Sequence, residues 1–272
     1  MSNSPPLDRY VRWSVFLASL RKRVDEICAE ADAGTRALIA QDPTNVAALK
    51  TAQHALNERV DGICGKIEAT WHAQDLQRQE TQARDGSRAR APESAYQEWH
   101  ATERYLVETW TACKVRGLAA LLRAAWPFVD AALKKPIPCS RCGAALSPKT
   151  RLTSESVTCP HCQSVNQCVP DPLIYTWSAD APHNLGLEQV LTQRFQVLRA
   201  GEDVKHWIDA EYRRTGERPK EGAESKQRRA AMAHAYYIVW AAARASILPV
   251  SAAEQAADVE RSMVGFRRSL ED

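Results

Sequence analysis

The sequence predicts a mainly α-helical protein, built as a long antiparallel helical hairpin or bundle with a small inserted β module. Three observations support this prediction. Long stretches repeat apolar residues at helical spacing, two Cys-x-x-Cys pairs lie close together in the middle of the chain, and helical periodicity returns after them. With 272 residues, 44% of them hydrophobic, the chain can bury a core in one large or two smaller domains.

The first two predicted helices form a hairpin. Apolar positions recur in alternating steps of three and four from Tyr10 to Leu38, which is the spacing of one seam on a long helix. Asp42-Pro43 has the form of an N-cap followed by a first-turn proline, and the pattern resumes from Val46 to Trp71. Two long helices joined by so tight a turn are expected to lie antiparallel.

The register of this hairpin follows from its turn. A fold-back centred near Pro43 places Val24 opposite Ile63 and Ile27 opposite Val60. Cys28 and Cys64 then fall about five residues out of step, so we expect no disulfide between them.

A third helix completes the predicted N-terminal region, residues 1–135. Residues 78–95 lose the apolar period and gain charge, Gly and Pro, which indicates a solvated polar loop or a frayed helix end. The third helix begins at Pro92 or Ser94, and its second half, up to Trp126, is nearly all apolar.

The C-terminal segment, residues 183–272, is predicted to be helical and to pack on the N-terminal helices. After a proline-rich stretch, helical spacing runs from Leu185 to Tyr212 with an interruption around Gly201. One helix from about residue 222 to 248 and a last one from 251 or 252 to about 270 follow, separated by Pro249. About six helices are therefore expected.

The most specific signal lies in residues 136–170. The pairs Cys139/Cys142 and Cys159/Cys162 are 16 residues apart, which is a spacing typical of a four-cysteine zinc site. Two residues between the cysteines of a pair let a tight turn direct both sulfurs at one ion. Thr150–Thr153 and Ser156–Thr158 are short β-prone pieces between the pairs.

This segment resembles the zinc-ribbon group, including the Val-Thr-Cys-Pro-His-Cys-Gln-Ser-Val-Asn form of the second cysteine pair. The resemblance covers about 35 residues and does not extend to the helices. A thioredoxin-like redox pair is the alternative for a single Cys-x-x-Cys, and iron bound by four thiolates is the alternative for the whole set.

One Zn²⁺ per chain is the expected cofactor, held by Cys139, Cys142, Cys159 and Cys162. Since protein fills all four positions, no position remains for water or substrate, and the metal is expected to be structural. Arg141, Lys149 and Arg151 can offset the formal charge of −2 on the site. We expect His161 to lie at the surface rather than to bind the ion, and Cys168 to be a small strand residue.

Composition favours a cytoplasmic protein without a membrane span. The N-terminal residues contain no basic region followed by an apolar run, and the least polar stretch, Ala230–Leu248, carries His234 and Arg244. The eight cysteines are then expected to stay reduced.

A nucleic-acid-binding or transcription-associated factor that uses a basic patch at residues 213–229 is the second choice for function. The net charge of +3 gives no strong global field, and residues 136–174 contain no Phe, Tyr or Trp to serve as a stacking surface. The best basic patch combines seven cations with three acidic residues between positions 213 and 229, and a solvated turn would explain it as well. The cations are Arg213, Arg214, Arg218, Lys220, Lys226, Arg228 and Arg229.

No enzymatic motif accompanies the cysteine pairs. The sequence contains no Gly-rich phosphate loop, nucleophile elbow or full set of helix-bundle metal ligands, and Glu68/His72 and Asp203/His206 are expected to be surface pairs. We therefore expect a non-enzymatic structural or interaction subunit, with a protein partner, a homo-oligomer or a larger assembly, rather than a helical enzyme with an unfamiliar site.

Overall fold

The computed structural model of the chain describes residues 6–85 and 93–271, with the backbone alone for residues 6–10 and 74–85. Within these residues it contains seven helices and two small antiparallel sheets, which confirms the predicted mainly α fold with a small β insert. The helices are α1 (Pro6–Gln41), α2 (Val46–Asp85), α3 (Glu93–Lys134), α4 (Pro172–Gln189), α5 (Leu191–Thr215), α6 (Ala223–Ile247) and α7 (Ala252–Arg268). The strands are β1 (Ile137–Pro138), β2 (Ala145–Leu146), β3 (Glu155–Thr158) and β4 (Val165–Cys168).

Backbone proximity divides the chain into two compact units. One comprises residues 1–38 and 47–117, and the other comprises residues 39–46 and 118–272, so that α3 contributes to both. The predicted domain limits at 135, 170 and 183, and the predicted packing of the C-terminal segment on the N-terminal helices, stay predictions.

The first unit is a three-helix bundle, here named the N-terminal bundle. Hydrogen bonds between α1 and α3 advance in the same direction along both helices, joining Ser14 to Glu98, Arg21 to Thr102 and Asp25 to Tyr105. Those between α2 and α3 advance in opposite directions, joining Gln53 to Lys114 and Asn57 to Trp110. The helix α2 is therefore antiparallel to α3, and α1 is parallel to α3.

The helices α1 and α2 pack against each other close to the predicted register. One apolar cluster buries Val24 and Ile27 together with Val60 and Ile63, as the sequence predicts. An ion pair of 2.8 Å between Glu30 Oε2 and Arg59 Nη1 lies within two residues of the predicted alignment.

Cys28 contacts a cysteine of α3, Cys113. The sulfur of Cys113 is 3.7 Å from the backbone oxygen of Cys28, and all three cysteines of the bundle are free thiols. The expectation that Cys28 and Cys64 form no disulfide agrees with this arrangement.

The connection between α2 and α3 is shorter than the polar segment predicted at residues 78–95. The helix α2 continues to Asp85 and α3 begins at Glu93, so helix covers both ends of that segment. Residues 86–92 lie outside the described part of the chain.

Helix α4 corrects the sequence-based prediction, which placed no helix between residue 170 and Leu185. Asp171 is its N-cap, with a carboxylate oxygen that accepts a hydrogen bond of 2.9 Å from Leu173 N, and Pro172 occupies the first turn. Pro182 lies inside the helix without ending it. Trp177 is therefore helical, and its indole nitrogen donates to the carbonyl oxygen of Leu122 at 2.9 Å.

The predicted interruption around Gly201 is also wrong, because α5 runs through it and the break lies at Val190. A Cβ at Gly186 would approach the backbone of Arg244 to about 3.1 Å, so this glycine permits the close contact of α4 with α6. The limits predicted for α6 and α7 are correct within a few residues, and Ser251 and Glu254 form a capping box at the start of α7. Among the described residues, no helix combines the length and apolar character that crossing a bilayer requires.

Candidate metal centre

Residues 136–170 form two β-hairpins that each carry one cysteine pair at the turn. We call this segment the four-cysteine module. The strands β1 and β2 pair with Ile137 opposite Leu146, and Cys139 and Cys142 lie in the loop between them. The strands β3 and β4 pair with Glu155 opposite Cys168, and Cys159 and Cys162 lie in their loop.

The two cysteine turns have nearly the same backbone hydrogen bonds. The first cysteine of each pair donates its N–H to the oxygen five residues later, at 2.8 Å for Cys139 and 2.9 Å for Cys159. The backbone oxygens of the same cysteines accept from Gly143 N at 2.9 Å and from Gln163 N at 3.1 Å. Gly143 and Gln163 both have positive φ, +73° and +57°, which a glycine adopts without strain and a glutamine does not.

These turns bring the four sulfur atoms together. The Sγ atoms of Cys139, Cys142, Cys159 and Cys162 all lie within 4.8 Å of one another, and two of the separations, 139–162 and 142–159, are 3.6 Å. A tetrahedral site with Zn–S bonds of about 2.3 Å has sulfur atoms about 3.8 Å apart. The donor set and its spacing therefore fit a metal ion, which confirms that the four predicted residues form a cluster at metal-binding distance.

Two residues that the sequence analysis did not single out support these sulfurs. The hydroxyl oxygen of Ser164 lies 3.2 Å from Cys139 Sγ and 3.0 Å from Cys162 Sγ. The buried amide of Asn166 donates to Cys139 Sγ at 3.5 Å and to Ser164 O at 3.0 Å, and its oxygen accepts from Ser140 N at 2.8 Å. Asn166 thus joins the two cysteine turns.

A polar residue pointing inward from a β-strand is the signal that identifies Asn166. It lies between the outward positions Val165 and Gln167 of β4, so the alternation of the strand directs its side chain to the same side as Cys168. A buried polar side chain at that place requires hydrogen-bond partners, and the first cysteine turn supplies them.

The surroundings shift the pKa values of Cys139 and Cys142 in opposite directions. Hydrogen bonding from the Ser164 hydroxyl and from backbone N–H groups lowers the pKa of Cys139 to about 5. For Cys142, a hydrogen bond from the Ala144 N–H acts to lower the pKa, but the neighbouring thiols outweigh it and raise the pKa to about 12. A metal ion removes this conflict because its charge stabilises all four thiolates.

The remaining predictions for the module have mixed outcomes. His161 is exposed and Cys168 is buried at the end of β4, as expected. Thr150–Thr153 is not a strand. It bends, because the hydroxyl of Thr150 accepts a hydrogen bond of 3.1 Å from Leu152 N in a local turn. Arg151 donates to the carbonyl oxygen of Lys135 rather than to a cysteine.

Several cations of the predicted basic patch are paired with other groups of the protein. Arg214 pairs with Glu211, Arg229 pairs with Glu221 at 2.7 Å, and Lys226 donates to the carbonyl oxygen of Leu270. Arg213 also has a partner. Arg218, Lys220 and Arg228 are exposed and make no hydrogen bond or ion pair with any described residue.

Within the described residues, the four cysteines are the only cluster of three or more potential ligands at metal-binding distance. His72 and Glu68 form an exposed contact of 3.8 Å, as predicted.

Comparison of the chain with protein-family models, with curated proteins and with solved structures gives no match. The site therefore has to be interpreted from its own chemistry.

Proposed function

We propose that the protein is a non-enzymatic structural or interaction subunit of a larger cytoplasmic assembly, and that its four-cysteine module is a zinc ribbon. The observation that carries this proposal is the closed donor set, in which four sulfurs within 4.8 Å of one another are all supplied by the chain. Zinc with four protein ligands has no free position for substrate, so its role is to stabilise a shape.

The outer face of the module supports a contact role. Val165 is 69% exposed and Val169 is 70% exposed, and Tyr175, just beyond them on α4, is 65% exposed. Two valines exposed on a segment held in place by metal form a rigid apolar surface of the kind that protein interfaces use at their centre.

Metal analysis of the purified, reduced chain tests the first part of the proposal. We expect one zinc per chain, and none in the double variant Cys139→Ser/Cys159→Ser. A chain that is metal-free and fully folded, or one that carries iron, would contradict the zinc ribbon.

Light scattering and quantitative affinity purification test the interaction role. The double variant Val165→Asp/Val169→Asp should reduce self-association, or the recovery of specific co-purifying proteins, while retaining its zinc. Val239→Asp is the matched control, because Val239 is also exposed, at 44%, but lies on α6. A strictly monomeric protein whose module variant loses no partner would refute the contact role.

A further inference from the structure

A cavity of about 490 Å³ lies between α5 and α6, outside the four-cysteine module. We call it the Trp207 groove. On α5 its wall includes Val204 and Trp207, and on α6 it includes Arg228, Arg229 and Met232. This volume is within the range of about 300–1,000 Å³ that is typical of small-molecule sites.

Trp207 gives the groove an aromatic surface. Its side chain is 50% exposed although it belongs to the apolar stripe of α5, so packing within the protein leaves much of the indole accessible. An accessible indole beside a cavity can stack on a planar ring, and base–aromatic stacking of this kind binds single-stranded nucleic acids without requiring a particular sequence.

Arg228 supplies a positive charge on the facing wall. It is exposed and has no hydrogen bond or ion pair with any described residue, so its guanidinium is free to meet an anion. Arg218 and Lys220, in the turn that leads into α6, likewise make no hydrogen bond or ion pair with any described residue. Guanidinium groups bind phosphate with two parallel hydrogen bonds.

Arg229 has a different role, since it fixes the wall. Its guanidinium pairs with Glu221 at 2.7 Å. The same guanidinium lies against α5 at Gly201, where an added Cβ would be 3.4 Å from Arg229 Nη2. The Nε–H of Arg229 is buried without a hydrogen-bond partner.

Acidic groups also face this region and limit its charge. Asp203 on α5 and Glu221 line the groove, and Glu224 is exposed in the first turn of α6. Glu221 is neutralised by Arg229 and accepts a hydrogen bond from Ser225, whereas residues 213–229 as a whole keep an excess of four positive charges. The surroundings of the groove are therefore moderately basic, which suits a ligand with a phosphate and a flat apolar base.

We propose that the Trp207 groove binds a nucleotide of a single-stranded nucleic acid, with its base stacked on Trp207 and its phosphate held by Arg228. The assignment goes beyond the proposed contact role of the module and does not depend on zinc. Free mononucleotides share this chemistry and are distinguished from a strand by experiment. Duplexes do not share it, because their bases are already stacked and paired.

Fluorescence anisotropy with a labelled 12-nucleotide oligouridylate tests the proposal on the full chain. Trp207→Ala should weaken binding roughly 5- to 150-fold, and Trp207→Phe should retain most of the affinity. Arg228→Ala should lower the slope of log affinity against log salt by about 0.7, the value for one phosphate contact on a single strand. Lys149→Ala, which removes an exposed lysine of the four-cysteine module, is the matched control and should change neither quantity.

Competition separates the possible sources of the nucleotide. Displacement by excess unlabelled strand and not by uridine monophosphate supports a strand, whereas equal displacement per nucleotide supports a free nucleotide at the same groove. Arg228→Ala changes only an exposed side chain, so it remains informative even if Trp207→Ala loses helicity by circular dichroism. Absence of binding at low salt, equal binding of a duplex, or binding unchanged by both substitutions would overturn the proposal.

Discussion

The N-terminal bundle and the four-cysteine module are held together by different forces. The main apolar cluster of the bundle buries thirteen residues contributed by three long helices. The cluster of the module buries only four, and two of them, Cys139 and Cys159, are candidate ligands. Apolar burial alone can stabilise the bundle, whereas about 35 residues with so small a core need a metal or a disulfide.

This difference implies that the two regions respond to different perturbations. The folding of the module should be coupled to metal binding, and the folding of the bundle should depend on side-chain packing. The following predictions test that separation, beginning with the largest expected effect.

Removing the metal should unfold the module and leave the bundle helical. Binding of a structural zinc is worth about 10–16 kcal/mol in small zinc peptides, so a chelator or the double variant Cys139→Ser/Cys159→Ser should abolish the order of residues 136–170. Hydrogen exchange should become fast in these residues and stay slow in the core of the bundle. Cys168→Ala should keep the metal, since Cys168 is not part of the ligand cluster.

Creating a cavity in the bundle should destabilise the bundle and leave the metal-bound module intact. Leu106, on α3, is fully buried in the apolar cluster that α3 forms with α1 and α2. Leu106→Ala should therefore lower the free energy of unfolding by about 2–5 kcal/mol and leave the metal content unchanged. Val107→Ala is the control, because the neighbouring Val107 is 46% exposed and should cost less than about 0.5 kcal/mol. Chemical denaturation followed by circular dichroism measures both. Loss of metal in Leu106→Ala would show that the two regions are coupled.

Acid should release the metal before it unfolds the bundle. Metal binding displaces thiol protons, in particular from Cys142, whose pKa is about 12 beside the other thiols. Affinity therefore falls as pH falls, on the order of tenfold per pH unit for each proton released. A competition titration with a zinc indicator between pH 8 and pH 5, corrected for the indicator, measures this slope. A flat profile would mean that the thiols are not the ligands.

Asn166→Ala should weaken the metal site without removing a ligand. It breaks the link between the two cysteine turns and leaves Ser140 N without its partner, and such supporting groups typically contribute 10- to 100-fold in metal affinity, about 1.4–2.8 kcal/mol. The exposed Gln167, next to it on β4, provides the control variant Gln167→Ala. Unchanged affinity for both variants would show that Asn166 only fills space.

The smallest predicted effect concerns the positive φ that the two cysteine turns share. Gly143→Ala should destabilise the module by about 1–2 kcal/mol, because a side chain resists that conformation. Gln163→Gly should be neutral or slightly stabilising, since it removes the same strain from the other turn. Thermal release of the metal compares the two variants, and an equal loss in both would contradict the similarity of the turns.

Some of the fold could be predicted from short-range patterns. The spacing of apolar residues predicted the hairpin, the turn near Pro43 predicted its approximate register, and Pro249 separated α6 from α7. The predictions failed where local signals conflicted. Pro170, Pro172 and Pro182 suggested an irregular exit, although the Asp171 N-cap and the first-turn Pro172 begin α4, and Pro182 is tolerated inside it. Gly201 suggested a break in the helix, but α5 continues through it, and the Arg229 side chain lies against the helix at this glycine.

The sequence by itself determined which four cysteines come together and predicted one ion shared among them, because Cys-x-x-Cys spacing constrains a turn through local geometry alone. Only the tertiary structure decided which residues support the sulfurs and which surfaces are left accessible. Asn166 contacts Ser140, 26 residues away in sequence, and the Trp207 groove depends on how α5 and α6 pack. Contacts between distant residues are set by the packing of whole elements, and local spacing carries no information about that packing.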